Sequence, residues 1–256
     1  MLLKDRIALI TGSSRGIGAA IAKGFAREGC TVIVNYNKSK EAGEKVLNEA
    51  RKHTNDSIIL KFDVSKKAEV DSAVEKIINQ FGKIDILVNN AGIVKNSSFI
   101  DSKEADLDAI LDINLKGSYY CAQAVAKYMI ERRYGKIINL TSISQFSPFF
   151  NSVHYAMTKS GLKMLTRCTA LELGEYNICV NSLIPGIIKT EIVDGYKDKD
   201  LLKRMKRIIP LNRIGEPEDM IGAAIFLASS LSDYITGIDI LVDGGFCLFK
   251  DKNPEK

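Results

Sequence analysis

The sequence is poor in the residues that hold metals or build disulfide frameworks. It contains only two histidines, His53 and His154, which is too few for a histidine-rich metal site. Its five cysteines are odd in number and form no CxxC pair, a pattern typical of reduced thiols in a cytoplasmic protein. We therefore predict a cytoplasmic protein without a metal site.

Long runs of apolar residues or of like-charged residues are also missing. No apolar run reaches the roughly 20 residues that a helix needs to cross a bilayer. The first residues, MLLKDR, carry charge directly after two leucines, unlike a secretory signal. The net charge of +5 is modest, and no block of like charge is long enough for a nucleic-acid-binding arm. The sequence thus predicts neither a membrane nor a nucleic-acid partner.

What the chain does contain is an alternation of short β-branched runs and longer stretches with helical spacing. The predicted strands are 6–10, 31–35, 57–62, 85–90, 136–141, 178–184 and 239–243. The predicted helices start at Ile17 or cover 38–52, 66–80, about 104–133, 155–175 and 217–228. Strands alternating with helices indicate βαβ units, and their nearly continuous apolar character indicates parallel strands buried on both sides. We predict one doubly wound, Rossmann-like α/β domain over residues 1–256, with a seven-stranded parallel sheet and helices on both faces.

The stretch TGSSRGIG, residues 11–18, follows the first predicted strand and opens the first helix. Glycines at such a turn permit unusual backbone angles and let a ligand approach the chain closely. The helix start then presents N–H groups and partial positive charge to a phosphate. A plain strand-to-helix turn is the alternative, but the first turn of a doubly wound sheet is where a dinucleotide is expected. The predicted contacts are Gly12, Ser14, Arg15, Gly16, Ile17 and Gly18.

Three further motifs follow in order: NNAG at 89–92, Ser142, and YxxxK formed by Tyr155 and Lys159, with the tyrosine thirteen positions after the serine. Together with TGxxxGxG, they resemble the short-chain dehydrogenases/reductases with chains near 250 residues. The resemblance runs from Lys4 to about Phe246. It implies hydride transfer between a nicotinamide and a carbonyl or secondary alcohol, and a homotetramer paired through the long fourth and fifth helices and the C-terminal strand region.

Tyr155 and Lys159 suit proton transfer in such a reaction. A tyrosine can donate a proton to a nascent alkoxide, although its ordinary pKa is about 10. Residues four apart share a helix face, so we expect the Lys159 charge to lower the pKa of Tyr155. Taken alone, such a pair is usually only a surface neighbour pair. The resemblance implies that Ser142 polarises the substrate oxygen, that Asn114 positions a water in the proton relay, and that Lys159 also holds the nicotinamide ribose.

The residues after the second strand favour NADP(H), with NAD(H) use left open. NAD-binding relatives carry an acidic residue there, whereas this chain has Asn35, Tyr36, Asn37 and Lys38. Arg15 matches a basic residue of NADP-binding relatives, unless it is only a surface arginine. We expect Arg15, Lys38 and Asn35 to lie near the adenosine end. The resemblance implies further cofactor contacts at Asp63, Val64, Asn90, Ala91, Gly92, Pro185, Gly186, Ile188 and Thr190.

The substrate is less constrained. VHYAMTKSGLKMLT, including His154, resembles glucose 1-dehydrogenase-like sugar dehydrogenases and favours a sugar or polyol, although His154 could equally be a packing residue. The alternative is a 3-oxoacyl-acyl-carrier-protein reductase. Arg132 and Arg133 lie where those enzymes carry basic residues near the active-site mouth, but Cys179 stands in ICVN where an arginine is common.

The region that covers the substrate is expected at about 189–212. Its basic residues Lys203, Arg204, Lys206 and Arg207 could attract an anionic substrate or simply form a solvated helix face. A catalytically idle NADP-binding regulatory protein is a third hypothesis, since a fold does not fix a function. The complete set of Asn114, Ser142, Tyr155 and Lys159 argues against it.

Overall fold

The strands and helices alternate along the whole of the described chain. The computed structural model of the protein describes residues 1–190 and 205–248. The strands are β1 (Ile7–Ile10), β2 (Thr31–Tyr36), β3 (Ile58–Lys61), β4 (Ile86–Asn89), β5 (Gly135–Leu140), β6 (Ile178–Pro185) and β7 (Asp239–Val242). The helices are α1 (Gly16–Arg27), α2 (Lys40–Arg51), α3 (Lys67–Phe81), α4 (Glu104–Ile110), α5 (Gly117–Arg132), α6 (Val153–Leu173) and α7 (Ile221–Ala228).

All seven strands form one parallel sheet in the order β3-β2-β1-β4-β5-β6-β7. The chain runs outward from β1 to β3 and then crosses back, so that β1 pairs with both β2 and β4. That reversal is the switch point beside which open α/β sheets bind ligands, at the carboxyl ends of the strands. The predicted fold class is confirmed.

Helices cover both faces of the sheet because alternate strand residues point to opposite sides. Ala8 and Ile10 of β1 belong to the core formed with α1, α2 and α7. Ile7 and Leu9 belong to the core formed with α3 and α5. Each fully buried aliphatic side chain contributes roughly 1.5–3 kcal/mol relative to exposure, so β1 is fixed from both sides.

The predicted helical stretch of about 104–133 is confirmed, with a π-helical segment in its middle. A π-helical turn, Leu111–Lys116, separates α4 from α5. Hydrophobic spacing does not reveal this change, because only the backbone hydrogen bonds shift from i+4 to i+5. The buried Asn114 lies in this turn and bonds both the N–H and the carbonyl of Ile93, at 2.8 and 2.9 Å. The widened turn therefore braces the segment that follows β4.

The strands begin at the end of the sheet that we call the amino edge. There the fully buried carboxylate of Asp85 joins neighbouring elements. It accepts a hydrogen bond from the Ile7 N–H at 2.9 Å. Lys83, Arg132 and Arg6 lie 2.9, 3.1 and 3.6 Å from its oxygens. Because parallel strands begin here, this cluster lies at the edge opposite the carboxyl ends of the strands.

Some predictions fall outside the described residues. Most of the expected substrate-covering region, including Lys203 and Arg204, lies at 191–204. Lys206 and Arg207 are described and exposed. Within residues 1–190 and 205–248, no helix is long and apolar enough to span a membrane. All five cysteines are free thiols.

Candidate active site

A cleft of about 410 Å³ opens at the carboxyl ends of the central strands. It collects most of the residues that the sequence predicted to hold a dinucleotide. The predicted residues that line it are Gly12, Ser14, Arg15, Gly16, Ile17, Asn35, Lys38, Asp63, Val64, Asn90, Ala91, Gly92, Tyr155, Lys159, Pro185 and Thr190. The predicted site residues that do not line it are Gly18, Asn114, Ser142, Gly186 and Ile188.

The glycine turn is shaped by close contact between two loops. Gly12 has a positive φ of 61°, and a Cβ there would lie 2.8 Å from the Ala91 Cα. The Thr11 hydroxyl accepts hydrogen bonds from the N–H groups of Asn90 and Ala91, at 3.0 and 3.1 Å. The turn after β1 and the NNAG segment after β4 thus form one wall of the cleft.

Gly18 packs against Asn90 and does not line the cleft, and its predicted cofactor contact stays a prediction. A Cβ at Gly18 would lie 2.3 Å from the Asn90 amide nitrogen. That nitrogen donates to the carbonyls of Thr11 and Gly12, at 2.9 and 3.0 Å. A side chain at Gly18 would displace Asn90 and loosen the glycine turn.

Asn35 reaches the cleft, but its side chain is used within the protein. Its amide oxygen accepts from the Gly12 N–H at 2.8 Å, and its amide nitrogen donates to the Phe62 carbonyl at 3.1 Å. Asn35 is buried. Its side chain therefore holds the glycine turn against β2 and β3, a role that its position at a strand end did not reveal.

Gly186 and Ile188 serve the neighbouring core. A Cβ at Gly186 would lie 2.5 Å from the Asp243 Cα. Ile188 is buried and pairs with Gly215 in an isolated bridge. Of the predicted PGIIKT contacts, Pro185 and Thr190 line the cleft, and the contact expected between the Ile188 backbone and the nicotinamide carboxamide stays a prediction.

Tyr155 and Lys159 lie one turn apart on α6, as the sequence predicts. The Lys159 ammonium nitrogen lies 5.5 Å from the centre of the Tyr155 ring and donates to the Leu140 carbonyl at 2.7 Å. Burial lowers the pKa of Lys159 to about 8 from its ordinary 10.5. Burial also raises the pKa of Tyr155, which a hydrogen bond from Ser142 partly offsets. The expected lowering of the Tyr155 pKa is therefore wrong, because desolvation of the phenol is the larger effect.

Ser142 stands at the end of β5, beside the tyrosine. It caps the 3₁₀ turn Ile143–Gln145, and its hydroxyl oxygen accepts from the Ser144 N–H at 3.1 Å. The hydroxyls of Ser142 and Ser144 are also 3.1 Å apart. These bonds fix the Ser142 side chain where it can meet the Tyr155 phenol. Two segments thirteen residues apart in the sequence thus converge on one point.

Asn114 approaches the same helix from below the cleft. Besides its two bonds to Ile93, its amide nitrogen lies 3.4 Å from the Thr158 hydroxyl of α6. Its carbonyl accepts from the Ser118 hydroxyl at 3.0 Å. The Asn114 side chain does not line the cleft and instead ties the π turn to the helix that carries Tyr155 and Lys159.

Comparisons with known proteins agree with this geometry. A family model described as enoyl-(acyl carrier protein) reductase matches residues 12–247. The 3-oxoacyl-acyl-carrier-protein reductase of Staphylococcus epidermidis is 41% identical over 94% of this chain and 98% of its own. The 2-dehydro-3-deoxy-D-gluconate 5-dehydrogenase of Formosa agariphila is 40% identical over 95% of this chain and 93% of its own. The gluconate 5-dehydrogenase of Burkholderia cenocepacia, in complex with NADP and tartrate, is 35% identical with a TM-score of 0.91, covering 97% of both chains.

The chain belongs to the short-chain dehydrogenase/reductase family. It is an oxidoreductase of the class that acts on CH–OH or carbonyl groups (EC 1.1.1.-). This class contradicts the hypothesis of a catalytically idle regulatory protein.

In this short-chain dehydrogenase/reductase, His154 holds a loop. The residue is buried, and its Nε2 lies 2.6 Å from the Ser102 hydroxyl. This contact ties the start of α6 to the segment that leads from the cleft to α4. Of the two interpretations left open by the sequence, the structure favours packing.

Several lining residues were missed by the sequence reasoning. They are Tyr36, Asn37, Ser39, Phe62, Ile93, Ile113, Leu140 and Thr141. Each lies next to or close to a predicted site residue in the chain. The rule that ligands meet the carboxyl ends of parallel strands could have found Tyr36, Leu140 and Thr141, because each ends or follows a strand.

Proposed function

We propose that this enzyme transfers a hydride between NADP(H) and the secondary alcohol or ketone carbon of a small polyhydroxylated molecule, such as a sugar, sugar acid or polyol. The observation that carries the proposal is the convergence of Ser142, Tyr155 and Lys159 beside the glycine turn. The first two supply the groups that a carbonyl oxygen needs, and the glycine turn supplies a place for a dinucleotide phosphate.

The cleft fits a nicotinamide dinucleotide. Gly16 has a positive φ of 56°, and a Cβ there would stand 3.5 Å from Thr190, across the lining. The amino end of α1, a helix of 12 residues, faces this space and favours an anionic phosphate. Arg15 and Lys38 are both exposed at the lining, and residues 35–38 carry no carboxylate that would repel a 2′-phosphate. We therefore expect NADP(H) to be preferred over NAD(H). When bound, the nicotinamide supplies or accepts the hydride.

Ser142, Tyr155 and Lys159 would bind the substrate oxygen and transfer the proton. The Ser144 N–H holds the Ser142 oxygen. The Ser142 hydroxyl, which donates to the Ser144 hydroxyl in this structure, would turn its proton to the substrate oxygen. Tyr155 is neutral at physiological pH, because burial raises the pKa of its phenol, so it holds the proton that reduction requires. Lys159 is mostly protonated below its pKa of about 8, and its charge would stabilise the phenolate that forms as the proton leaves.

The choice of a polyhydroxylated substrate draws on two relatives and one feature of the fold. Both the relative from Formosa agariphila and that from Burkholderia cenocepacia are named as dehydrogenases of sugar acids. The two arginines expected to attract an acyl carrier lie at the amino edge. Arg132 is paired with the buried Asp85, and Arg133 donates to the Glu175 carbonyl.

A 3-oxoacyl-acyl-carrier-protein reductase is the second candidate. It is favoured by the 41% identity to the Staphylococcus epidermidis enzyme over nearly both chains. In that case the same serine, tyrosine and lysine would act on a 3-oxoacyl thioester.

The test follows nicotinamide absorbance with the purified full chain. One arm offers NADP⁺ or NAD⁺ with aldoses, polyols and sugar acids, and the other offers NADPH or NADH with an acetoacetyl thioester. Oxidation of a polyhydroxylated substrate with NADP⁺ supports the proposal. Thioester reduction alone would replace it with the second candidate, and inactivity on every substrate would refute both.

Tyr155→Phe provides the internal check. General acid–base catalysis contributes typically 10²–10⁴-fold, so we expect turnover to fall by at least about 100-fold while NADP(H) binding is kept. Tyr234→Phe, at a fully exposed position, is the matched control and should match the wild type. Unchanged turnover in Tyr155→Phe would contradict the assigned role.

A further inference from the structure

Gln145 occupies a position that the catalytic scheme does not use. It is the last residue of the 3₁₀ turn that Ser142 caps, and its N–H donates to the Ser142 carbonyl at 3.1 Å. A 3₁₀ helix rises about 2 Å per residue, which puts the two backbones roughly 6 Å apart. The Gln145 side chain therefore starts close to Ser142, and neither residue is among those that line the cleft.

The side-chain amide of Gln145 is buried without a partner. Neither its oxygen nor its nitrogen has a hydrogen bond to any residue within 1–190 or 205–248. An amide offers two N–H donors and two acceptor lone pairs. Leaving such a buried group unpaired is unfavourable. The donors and acceptors of the Gln145 amide are thus unpaired within the described residues.

The neighbours of the turn do not compete for this amide. The hydroxyls of Ser142 and Ser144 are paired with each other. Ile143 packs into an apolar cluster with Ile184, Ile187 and Ile209. The chain neighbours of Gln145 thus leave its amide free for a ligand, and buried hydrogen bonds of this kind discriminate strongly between ligands.

We propose that Gln145 determines specificity by hydrogen-bonding a substrate hydroxyl on a carbon next to the reacting carbon. A hydroxyl both donates and accepts, so it can satisfy either end of the amide. The carbonyl of a thioester only accepts and would leave the amide oxygen unpaired. The inference rests on the proposed function and deepens it, because it names the chemical group that separates polyols and hydroxy acids from simple ketones.

The test is a matrix of enzymes and substrates. The enzymes are the wild type, Gln145→Leu, Gln145→Glu and the control Gln80→Leu, which makes the same change at an exposed position on α3. Each is assayed with a polyhydroxylated substrate that the wild type turns over and with its deoxy analogues lacking one hydroxyl beside the reacting carbon. We expect Gln145→Leu to lose about 10- to 100-fold in kcat/KM on the hydroxylated substrate, and less than about threefold on one of the deoxy analogues.

A stability measurement separates this role from a structural one. Because Gln145→Leu removes an unpaired buried amide, its melting temperature without substrate should equal or exceed that of the wild type. Gln145→Glu keeps the acceptor oxygens and should retain more of the hydroxyl preference than Gln145→Leu.

The outcomes are distinguishable. If Gln145→Leu lost the same factor in kcat/KM on hydroxylated and deoxy substrates, with or without a lowered melting temperature, the role of Gln145 would be overturned. The proposed function would stay intact. A wild type that turns over only the thioester, or nothing, would overturn the proposed function and this inference with it.

Discussion

The Lys159 ammonium nitrogen lies 5.5 Å from the centre of the Tyr155 ring and is fixed by a 2.7 Å hydrogen bond to the Leu140 carbonyl. The helix provides the spacing between the two side chains, and the carboxyl end of β5 provides the anchor. Burial favours the neutral form of each group. Near neutral pH Tyr155 is therefore in the neutral form that burial favours, whereas Lys159 stays mostly protonated although burial opposes its charge.

The first prediction concerns the pH dependence of stability. The folded-state pKa of Lys159 is about 8, whereas its ordinary value is 10.5. Between these values the unfolded chain binds more protons, so Lys159 makes the free energy of unfolding rise with pH through this window. Urea unfolding from about pH 7 to about pH 10 should show the wild type gaining about 2 to 3 kcal/mol relative to Lys159→Met.

The control for that series is Lys76→Met, at an exposed position on α3. Its difference from the wild type should stay flat with pH. If the difference between Lys159→Met and the wild type were flat as well, the lowered pKa of Lys159 would be refuted.

The second prediction concerns cofactor choice. Replacing Arg15 by Ala and Lys38 by Asp removes two positive charges from the lining and adds a carboxylate beside β2. Charge-assisted hydrogen bonds to a phosphate contribute about 1.5–3 kcal/mol each, so the ratio of kcat/KM for NADPH over NADH should fall at least about 10-fold. Arg27→Ala, at the far end of α1, should leave the ratio unchanged. An unaltered ratio in the double variant would remove Arg15 and Lys38 from cofactor selection.

The third prediction separates stability from activity. Asp85→Ala would leave Lys83, Arg132 and Arg6 without their shared carboxylate at the amino edge. Removing one member of a buried ion pair costs about 3–5 kcal/mol, measurable by chemical unfolding. At a temperature at which the variant stays folded, kcat/KM should remain within about threefold of the wild type, because the cleft lies at the opposite edge.

Asp71→Ala is the matched control, since its pair with Lys67 is solvent-exposed. Such pairs contribute about 0–1 kcal/mol. A comparable loss of stability in both variants would show that burial of Asp85 does not increase the contribution of its ion pairs to the free energy of unfolding.

The fourth prediction is the homotetramer implied by the family resemblance. One face of α6 presents Met157, Met164, Cys168 and Leu171 to solvent in the single chain, with Leu171 85% exposed. Such a stripe is typical of a helix that packs against another copy. Light scattering should give the mass of four chains, and the double variant Met164→Asp, Leu171→Asp should give a smaller assembly. Leu2→Asp, also at an exposed leucine, should stay tetrameric, and a monomeric wild type would contradict the prediction.

The strand pattern was readable because central parallel strands are buried on both faces and so appear as short apolar runs. The catalytic motif was readable because the helix fixes the distance between Tyr155 and Lys159. The π turn at Leu111–Lys116 was not readable, since its side chains keep a helical pattern while only the backbone bonds change. The packing of Gly18 against Asn90 and the internal hydrogen bonds of Asn35 were not readable either, because a linear motif does not show which neighbour a residue contacts.

The sequence by itself determined the fold class, the glycine turn and the residues proposed for catalysis, because these depend on local periodicity and on the spacing of motifs. Only the tertiary structure decided the environment of those residues. Burial raises the pKa of Tyr155 and lowers that of Lys159, and it leaves the Gln145 amide unpaired within the described chain. Desolvation and hydrogen bonding depend on elements that are distant in the chain, such as β5 against α6, and these meet only when the sheet is assembled.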